Sequence, residues 1–294
     1  MLITKPVMVS SLVGNTQLLD GGAMFGNAPR PLWERWVTPD ELGRIPLACR
    51  ALLIEIGDKK LLCETGIGAY MEPSLAARYG VVEREHCLLK SLDALGLKDS
   101  DIDFVILSHL HFDHAGGLLR AYQEGTPLAL LFPKAQFVVG QEAWTRAMHP
   151  HARDKASFIP GLTDLLIASG RLRILTDDHL KEFPREALSF RISNGHTPGQ
   201  VHTVINGGKQ TLVYAGDLIP GKAWVHLPIT MGYDRYPEKV IDEKEELYRE
   251  AVPNHWLIFY THDARIAASY VVRDPKGKFV PEGELTDFKH FSLN

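Results

Sequence analysis

The chain has 294 residues, of which 45% are hydrophobic, and a formal net charge of −4 at pH 7. This length suits one large domain, and the hydrophobic share is sufficient for a packed core, which excludes extensive disorder. No block of like charge offers the basic patch that a nucleic-acid partner requires, and no apolar run approaches the roughly 18 residues of a membrane span.

The three cysteines, Cys49, Cys63 and Cys87, are widely spaced and odd in number. They predict neither a disulfide framework nor a thiolate zinc site. The first residues, MLITKPVMVSSLVG, are too interrupted by polar residues for a signal peptide. We therefore expect a cytoplasmic protein whose partners include neither nucleic acid nor a membrane.

Short apolar runs rich in branched residues predict nine strands. In chain order they are Val7–Val13, Ala51–Ile56, Lys60–Cys63, Phe104–Leu107, Gln136–Val139, Leu172–Leu175, Val201–Ile205, Thr211–Tyr214 and Trp256–Tyr260. Helices are predicted between them at Glu83–Leu95, Gln141–Met148, Thr163–Ser169 and Glu238–Ala251. This alternation favours a single α/β domain over residues 1–294, with two sheets packed on each other and helices outside.

Two segments interrupt the pattern and are expected to lie near an active site. Residues 21–46 are rich in glycine, proline and aromatic residues, outside any clear strand or helix, and residues 141–170 form a mostly helical insertion. Long irregular segments are often binding loops. We expect the first segment to line a ligand cleft with its large apolar residues, unless these residues join the core; they are Met24, Phe25, Trp33 and Trp36.

The segment that points most directly to chemistry is Ser108-His109-Leu110-His111-Phe112-Asp113-His114, which follows the predicted strand Phe104–Leu107. In an extended chain His109 and His111 point to the same side, and the turn that follows brings Asp113 and His114 towards them. Four side chains able to bind a metal therefore converge within six residues.

Three further candidate ligands occupy similar positions, since each of them is a polar residue that follows an apolar strand. They are His196, Asp217 and His262. Alone, each is typical of a turn or a cap, but together with the first motif their types suit a metal centre, because histidine binds zinc and a carboxylate can bridge two cations. His202 lies within a strand and favours a core or supporting role.

This ordered set resembles the metallo-β-lactamase superfamily, whose fold is an αββα sandwich with two metal ions at one edge. The resemblance implies that His109, His111 and His196 hold one ion, that Asp113, His114 and His262 hold the other, and that Asp217 bridges them. It implies two divalent ions, with zinc expected and manganese, iron, cobalt or nickel as alternatives.

The segment from Asp20 to Gly26 (DGGAMFG), followed by Pro31-Leu32-Trp33, is similar to that of quorum-quenching lactonases in this superfamily. The N-acyl-homoserine lactonases and the methyl-parathion-type hydrolases are similar but more distant. Two positions depart from the family. Glu64 stands where many members have aspartate, and Pro220 stands where the acyl-homoserine lactonases have a tyrosine. Tyr260 and Tyr233 are candidates to replace that tyrosine, and Glu64 is expected to orient the metal-binding loop.

The resemblance implies hydrolysis of a small-molecule lactone or ester by a hydroxide bridging the two ions, with Asp113 passing a proton to the leaving alkoxide. Hydrolysis of a phosphoester or phosphotriester is the alternative, and an iron-dependent redox protein on the same fold is the third interpretation. A homodimer is compatible with the resemblance.

Overall fold

The computed structural model of this chain describes residues 5–175, 183 and 186–294. The strands of these ranges are β1 (Val7–Leu12), β2 (Gln17–Asp20), β3 (Arg44–Leu47), β4 (Ala51–Ile56), β5 (Lys59–Cys63), β6 (Phe104–Leu107), β7 (Gln136–Gly140), β8 (Leu172–Leu175), β9 (Leu188–Ser193), β10 (Gln200–Asn206), β11 (Thr211–Tyr214), β12 (Leu257–Phe259), β13 (Ala268–Arg273), β14 (Phe279–Leu285) and β15 (Phe291–Ser292). The helices are α1 (Gly21–Phe25), α2 (Arg30–Trp33), α3 (Pro73–Arg78), α4 (Cys87–Asp93), α5 (Phe112–Ala115), α6 (Gln141–Met148), α7 (Leu162–Ala168) and α8 (Pro237–Ala251).

The strands form two large sheets and one small one. The first large sheet has the order β15-β1-β4-β5-β6-β7-β8, and the second has the order β14-β13-β12-β11-β10-β9. Strands β5 to β8 run parallel to one another, as do β11 and β12. Strands β2 and β3 pair separately as a two-stranded antiparallel sheet.

The central strands of both large sheets are buried on both faces, which explains why they read as nearly continuous apolar runs. Along β4, Leu53 packs with the helical layer that contains α4, whereas Leu52 and Ile54 pack between the sheets. In the second sheet, Tyr214 faces the first sheet and Val213 faces the layer that contains α8. The architecture is the αββα sandwich that the sequence predicts, with the alternation of side chains along each strand separating the layers.

All nine predicted strands are present, with ends that differ by no more than two residues. Helix α6 matches its prediction, whereas α4 begins four residues later than predicted, at Cys87. The carboxylate of Glu83, where that helix was predicted to begin, instead accepts hydrogen bonds from the backbone N–H and the hydroxyl of Thr16. Local sequence therefore locates the element, and a contact with a distant residue sets its end.

Residues 21–46 are more regular than predicted. The side chain of Asp20 accepts a hydrogen bond of 2.7 Å from Ala23 N and so caps α1, and Pro31 lies in the first turn of α2, where its missing N–H costs nothing. The prediction that this segment lies outside helix and strand is therefore wrong, because α1, α2 and β3 all fall within it. Along the described ranges, no helix combines the length and the hydrophobicity needed to cross a bilayer.

The sheet topology places the candidate residues at one edge. Strands β11 and β12 are parallel, so Asp217 and His262, which follow them, leave the second sheet at the same end. Strand β9 is antiparallel to β10, which is antiparallel to β11, so His196 leaves at that end too. Residue His109 follows β6 of the facing sheet, and a backbone hydrogen bond of 2.8 Å from Val201 N to Ser108 O joins the two edges.

Candidate metal centre

Six of the seven candidate ligands singled out from the sequence meet in two groups of three. The ligand atoms of His109, His111 and His196 all lie within 4.8 Å of one another, and so do those of Asp113, His114 and His262. Every imidazole in the two groups is buried, and the side chain of Asp113 is 15% exposed. Each group offers the ligands of one divalent ion, in the combinations that the resemblance implies.

Asp217 lies between the two groups. Its Oδ2 atom is 3.2 Å from Nε2 of His196 and 3.3 Å from Nε2 of His114, and its Oδ1 atom is 3.1 Å from Nε2 of His262. A carboxylate placed against imidazoles of both groups is suited to bridging two cations. Its position agrees with the role expected for Asp217, which stays a prediction.

The donor set fits divalent metal ions. The Nε2 atoms of His109 and His111 are buried and have no hydrogen-bond partner among the described residues. Nε2 of His262 lies 3.2 Å from Nε2 of His114, so the two ring nitrogens that would bind an ion point towards the same position. Burial lowers the pKa of His111 to about 3 and that of His109 well below its usual range, which keeps both rings neutral, as metal ligands must be.

A cavity of about 430 Å³ opens onto these residues. Its floor includes five candidate ligands, His111, Asp113, His196, Asp217 and His262. Its walls come from the N-terminal segment, the end of α3, the start of α5, the insertion between α6 and α7, and the loop that precedes α8. The wall residues are Leu19, Met24, Leu47, Tyr79, Phe112, Arg153, Asp154, Ala156, Ser157, Met231, Gly232 and Tyr233.

Comparison with known proteins decides the family. The sequence profile of the metallo-beta-lactamase superfamily matches residues 44–262, three quarters of the chain. The chain belongs to the metallo-beta-lactamase superfamily. The resemblance predicted from the sequence motifs is therefore confirmed.

Relatives within the superfamily are distant. An N-acyl homoserine lactonase from a Bacillus species is 25% identical over 185 residues, which cover 59% of this chain and 63% of the lactonase. The matched region thus spans less than two thirds of that protein. A crystal structure of a probable metal-dependent hydrolase from Staphylococcus aureus superposes with a TM-score of 0.82 at 27% identity, covering 95% of this chain and 98% of the other. AidC, a dizinc quorum-quenching lactonase, superposes with a TM-score of 0.73 at 21% identity, covering 95% of each chain, which shows the shared fold.

In this member of the superfamily, Glu64 orients two of the candidate ligands. Its Oε2 atom accepts hydrogen bonds of 2.6 Å from His114 Nδ1 and 2.6 Å from the hydroxyl of Tyr214. Its Oε1 atom accepts a short hydrogen bond from the hydroxyl of Ser108, which lies 2.8 Å from His109 Nδ1. Although Glu64 lies close enough to these imidazoles to be a ligand itself, its carboxylate is already occupied by these bonds. We therefore assign it the supporting role expected from the sequence, because each bond at Nδ1 leaves Nε2 free for a metal ion.

The remaining ligands have supports that the sequence did not indicate. Asp234 accepts a hydrogen bond of 2.9 Å from His196 Nδ1 and a second one of 2.7 Å from Met231 N. The ring of His262 is held by a contact of 2.7 Å between its Nδ1 atom and Ala48 O. Asp234 belongs to no motif, and its only sequence signal is an acidic residue in a loop.

Gln200 holds the backbone of Asp217 through a hydrogen bond. Its Oε1 atom accepts a hydrogen bond of 3.2 Å from Asp217 N, and its Nε2 atom lies 3.1 Å from Nε2 of His202. Burial lowers the pKa of His202 to about 3, so this ring stays neutral and can accept the hydrogen bond. His202 is thus buried within β10, and its role as a support for Gln200 stays a prediction.

The aromatic residues of the N-terminal segment divide between core and cavity. Met24 lines the metal cavity as expected, whereas Phe25 and Trp33 are buried in the core, where Phe25 stacks on Trp33 at 5.5 Å and on Trp224 at 4.5 Å. Trp36 instead lines a separate cavity of about 230 Å³. The expectation that all four residues line the metal cleft is therefore wrong for three of them, because stacking on Trp224 draws Phe25 inward.

Of the two tyrosines considered as replacements at Pro220, one lies in the cavity. Tyr233 contributes to the cavity wall and is 44% exposed. The hydroxyl of Tyr260 is buried and lies 2.6 Å from Ser269 Oγ, away from the cavity. Burial, together with the carboxylates of Asp113 and Asp20, raises the pKa of Tyr233, so its hydroxyl remains a hydrogen-bond donor at neutral pH.

Proposed function

We propose that this enzyme opens a lactone or ester with an apolar acyl group, using two divalent metal ions, zinc being expected. The observation that carries the proposal is the pair of three-residue ligand groups with Asp217 between them, at the floor of a cavity whose walls are largely apolar. His109, His111 and His196 would hold one ion, Asp113, His114 and His262 the other, and Asp217 would bridge them. When bound, such ions lower the pKa of a shared water and polarise a carbonyl oxygen.

The residues of the chain supply the remaining steps. Asp113 Oδ2 lies 3.5 Å from His262 Nε2, and its side chain is partly exposed to the cavity, so it can take the proton released during attack and return it to the leaving alkoxide. The hydroxyl of Tyr233 is available to donate to the substrate carbonyl. Met24, Leu47 and Met231 provide an apolar surface that excludes water and accommodates the acyl chain.

The experiment is a hydrolysis screen of the purified enzyme together with its metal content. We expect close to two equivalents of metal and turnover of lactones, with kcat/KM rising with acyl chain length by up to about fourfold for each buried methylene. Turnover of phosphodiesters or phosphotriesters without any lactone would replace the lactonase proposal with the phosphoester alternative. One equivalent of metal, unaffected by His114→Ala or His262→Ala, would contradict the two-metal centre.

A further inference from the structure

A fully buried lysine of α8 has all of its hydrogen-bond donors occupied. Lys244 is 0% exposed, and its Nζ atom donates hydrogen bonds of 2.8, 3.0 and 2.8 Å to the backbone oxygens of Trp224, His226 and Ile229. An ammonium group has three N–H donors, so each of them has an acceptor here. Lysine is almost never fully buried unless it is paired, because taking a charge out of water is costly. The three bonds offset that cost, and they fix three carbonyl groups of one short segment.

The segment that carries these oxygens lies just before α8 in the chain. It begins in the 3₁₀ helix Lys222–Val225 and continues into the loop 226–236. Tyr248 lies one turn after Lys244, on the same side of α8, and its hydroxyl donates a hydrogen bond of 2.9 Å to Val225 O. Helix α8 therefore holds the segment through four backbone oxygens, all of them bound by buried side chains.

The same loop continues into the wall of the metal cavity. Shortly after Ile229, Met231 lines the cavity, and its backbone N–H donates a hydrogen bond of 2.7 Å to Asp234 Oδ2. The other oxygen of this carboxylate, Oδ1, lies 2.9 Å from His196 Nδ1, and Asp234 is 1% exposed. The position of Asp234 relative to the His196 ring therefore depends on where the preceding backbone lies.

We propose that Lys244 is a positioning residue for the metal centre, which it serves by fixing the start of the loop 226–236 and so placing Asp234 against the His196 imidazole. The inference rests on the proposed two-metal centre and adds a residue that touches neither metal nor substrate. Hydrogen bonds are directional, so three of them from one nitrogen restrict the backbone more closely than apolar contacts do. A carboxylate behind a metal-binding histidine fixes the orientation of the ring, so a displaced Asp234 weakens the site.

Lys244→Met tests the inference, because methionine has a side chain of similar length and shape but donates no hydrogen bond. We expect the affinity for zinc to fall by about 10-fold, measured by competition with a chromophoric chelator at a temperature where circular dichroism shows the variant to be folded. The visible spectrum of the cobalt-substituted variant should also change, because it reports the geometry of the ligands. Lys239→Met, which replaces an exposed lysine of the same helix, should keep the native affinity and spectrum.

Tyr248→Phe is the control for a loss of stability alone. It removes the hydrogen bond to Val225 O, and Val225 is farther along the chain from Asp234 than Ile229 is. This variant should have a lower melting temperature and the native affinity for zinc. An equal loss of zinc affinity in Tyr248→Phe and Lys244→Met would overturn the proposal, because both would then act through stability.

Native zinc affinity and a native cobalt spectrum in folded Lys244→Met would also overturn it. If Lys244→Met does not fold, Lys244→Gln, which retains an NH₂ group, decides by the same measurements. Both measurements are made without substrate, so they are independent of the reaction. Loss of zinc affinity in an enzyme that hydrolyses phosphoesters and no lactone would support this inference while contradicting the proposed function, whereas native affinity in an enzyme that opens lactones would do the reverse.

Discussion

At the scale of single residues, Glu64 has the most consequences for the metal centre. It is fully buried with a φ of 61°, a conformation that costs energy for a residue with a side chain and that is retained here beside the candidate ligands. From this position one carboxylate orients His114 directly and His109 through Ser108. The two oxygens of this carboxylate thus accept hydrogen bonds from donors on both sides.

Replacing this acid with its amide tests that role. In Glu64→Gln, one oxygen becomes an NH₂ group that cannot accept from His114 Nδ1 or from Tyr214, so an imidazole loses its fixed orientation. We expect the affinity for zinc to fall by about 10- to 100-fold, measured by competition with a chromophoric chelator. Glu124→Gln, on an exposed loop, is the control. Native zinc affinity in Glu64→Gln would show that the imidazoles are held by other contacts.

At the scale of elements, α1 presents adjacent residues to different environments. Met24 faces the metal cavity, whereas Phe25 is fully buried between Trp33 and Trp224. The indole N–H of Trp224 also donates a hydrogen bond of 3.1 Å to Met24 O, which fixes the end of the helix against the second sheet. Both side chains are buried in the same apolar cluster, and of the two only Met24 also lines the metal cavity.

Two alanine variants separate these roles. Phe25→Ala removes a stacked core ring and should lower the free energy of unfolding by about 3–5 kcal/mol, measured by urea denaturation. Met24→Ala also removes a buried side chain and should lower the free energy of unfolding by about 2–5 kcal/mol. Of the two variants, only Met24→Ala should flatten the dependence of kcat/KM on acyl chain length, because Met24 lines the cavity. The assignment fails if Phe25→Ala changes the chain-length profile at native stability, or if Met24→Ala leaves that profile intact.

At the scale of the whole molecule, the features predicted correctly from the sequence are those that depend on residues close together in the chain. The strands follow from apolar runs, and His109 to His114 were found because four candidate ligands are contiguous. Asp234 was missed because its partner His196 is 38 residues away and no motif contains it. The inward packing of Phe25 depends on Trp224, which is distant in sequence but lies in the same apolar cluster. The irregular sequence around Phe25 did not indicate which side its ring would face.

The metal centre also connects the two sheets. Candidate ligands His109, His111, Asp113 and His114 follow β6 of the first sheet, whereas His196, Asp217 and His262 follow strands of the second. Two bound ions would therefore stabilise the contact between the sheets, in addition to the apolar core between them. Because the ions bind the folded chain, their binding free energy adds to its stability.

Removing the metal should consequently lower the melting temperature. An ion present at 100 times its dissociation constant contributes about 2.7 kcal/mol, which corresponds to about 5–10 °C for a chain of this size. We expect that decrease in melting temperature on dialysis against a chelator, and its recovery on adding zinc, measured by calorimetry.

Asp217→Asn should retain a smaller zinc-dependent increase in melting temperature, because one negative charge between the cations is lost. Glu245→Gln, on the exposed side of α8, should keep the native increase. Acidification should reduce the increase, because protons compete with zinc for the imidazoles. An equal melting temperature with and without metal would mean that the ions do not stabilise the contact between the two sheets.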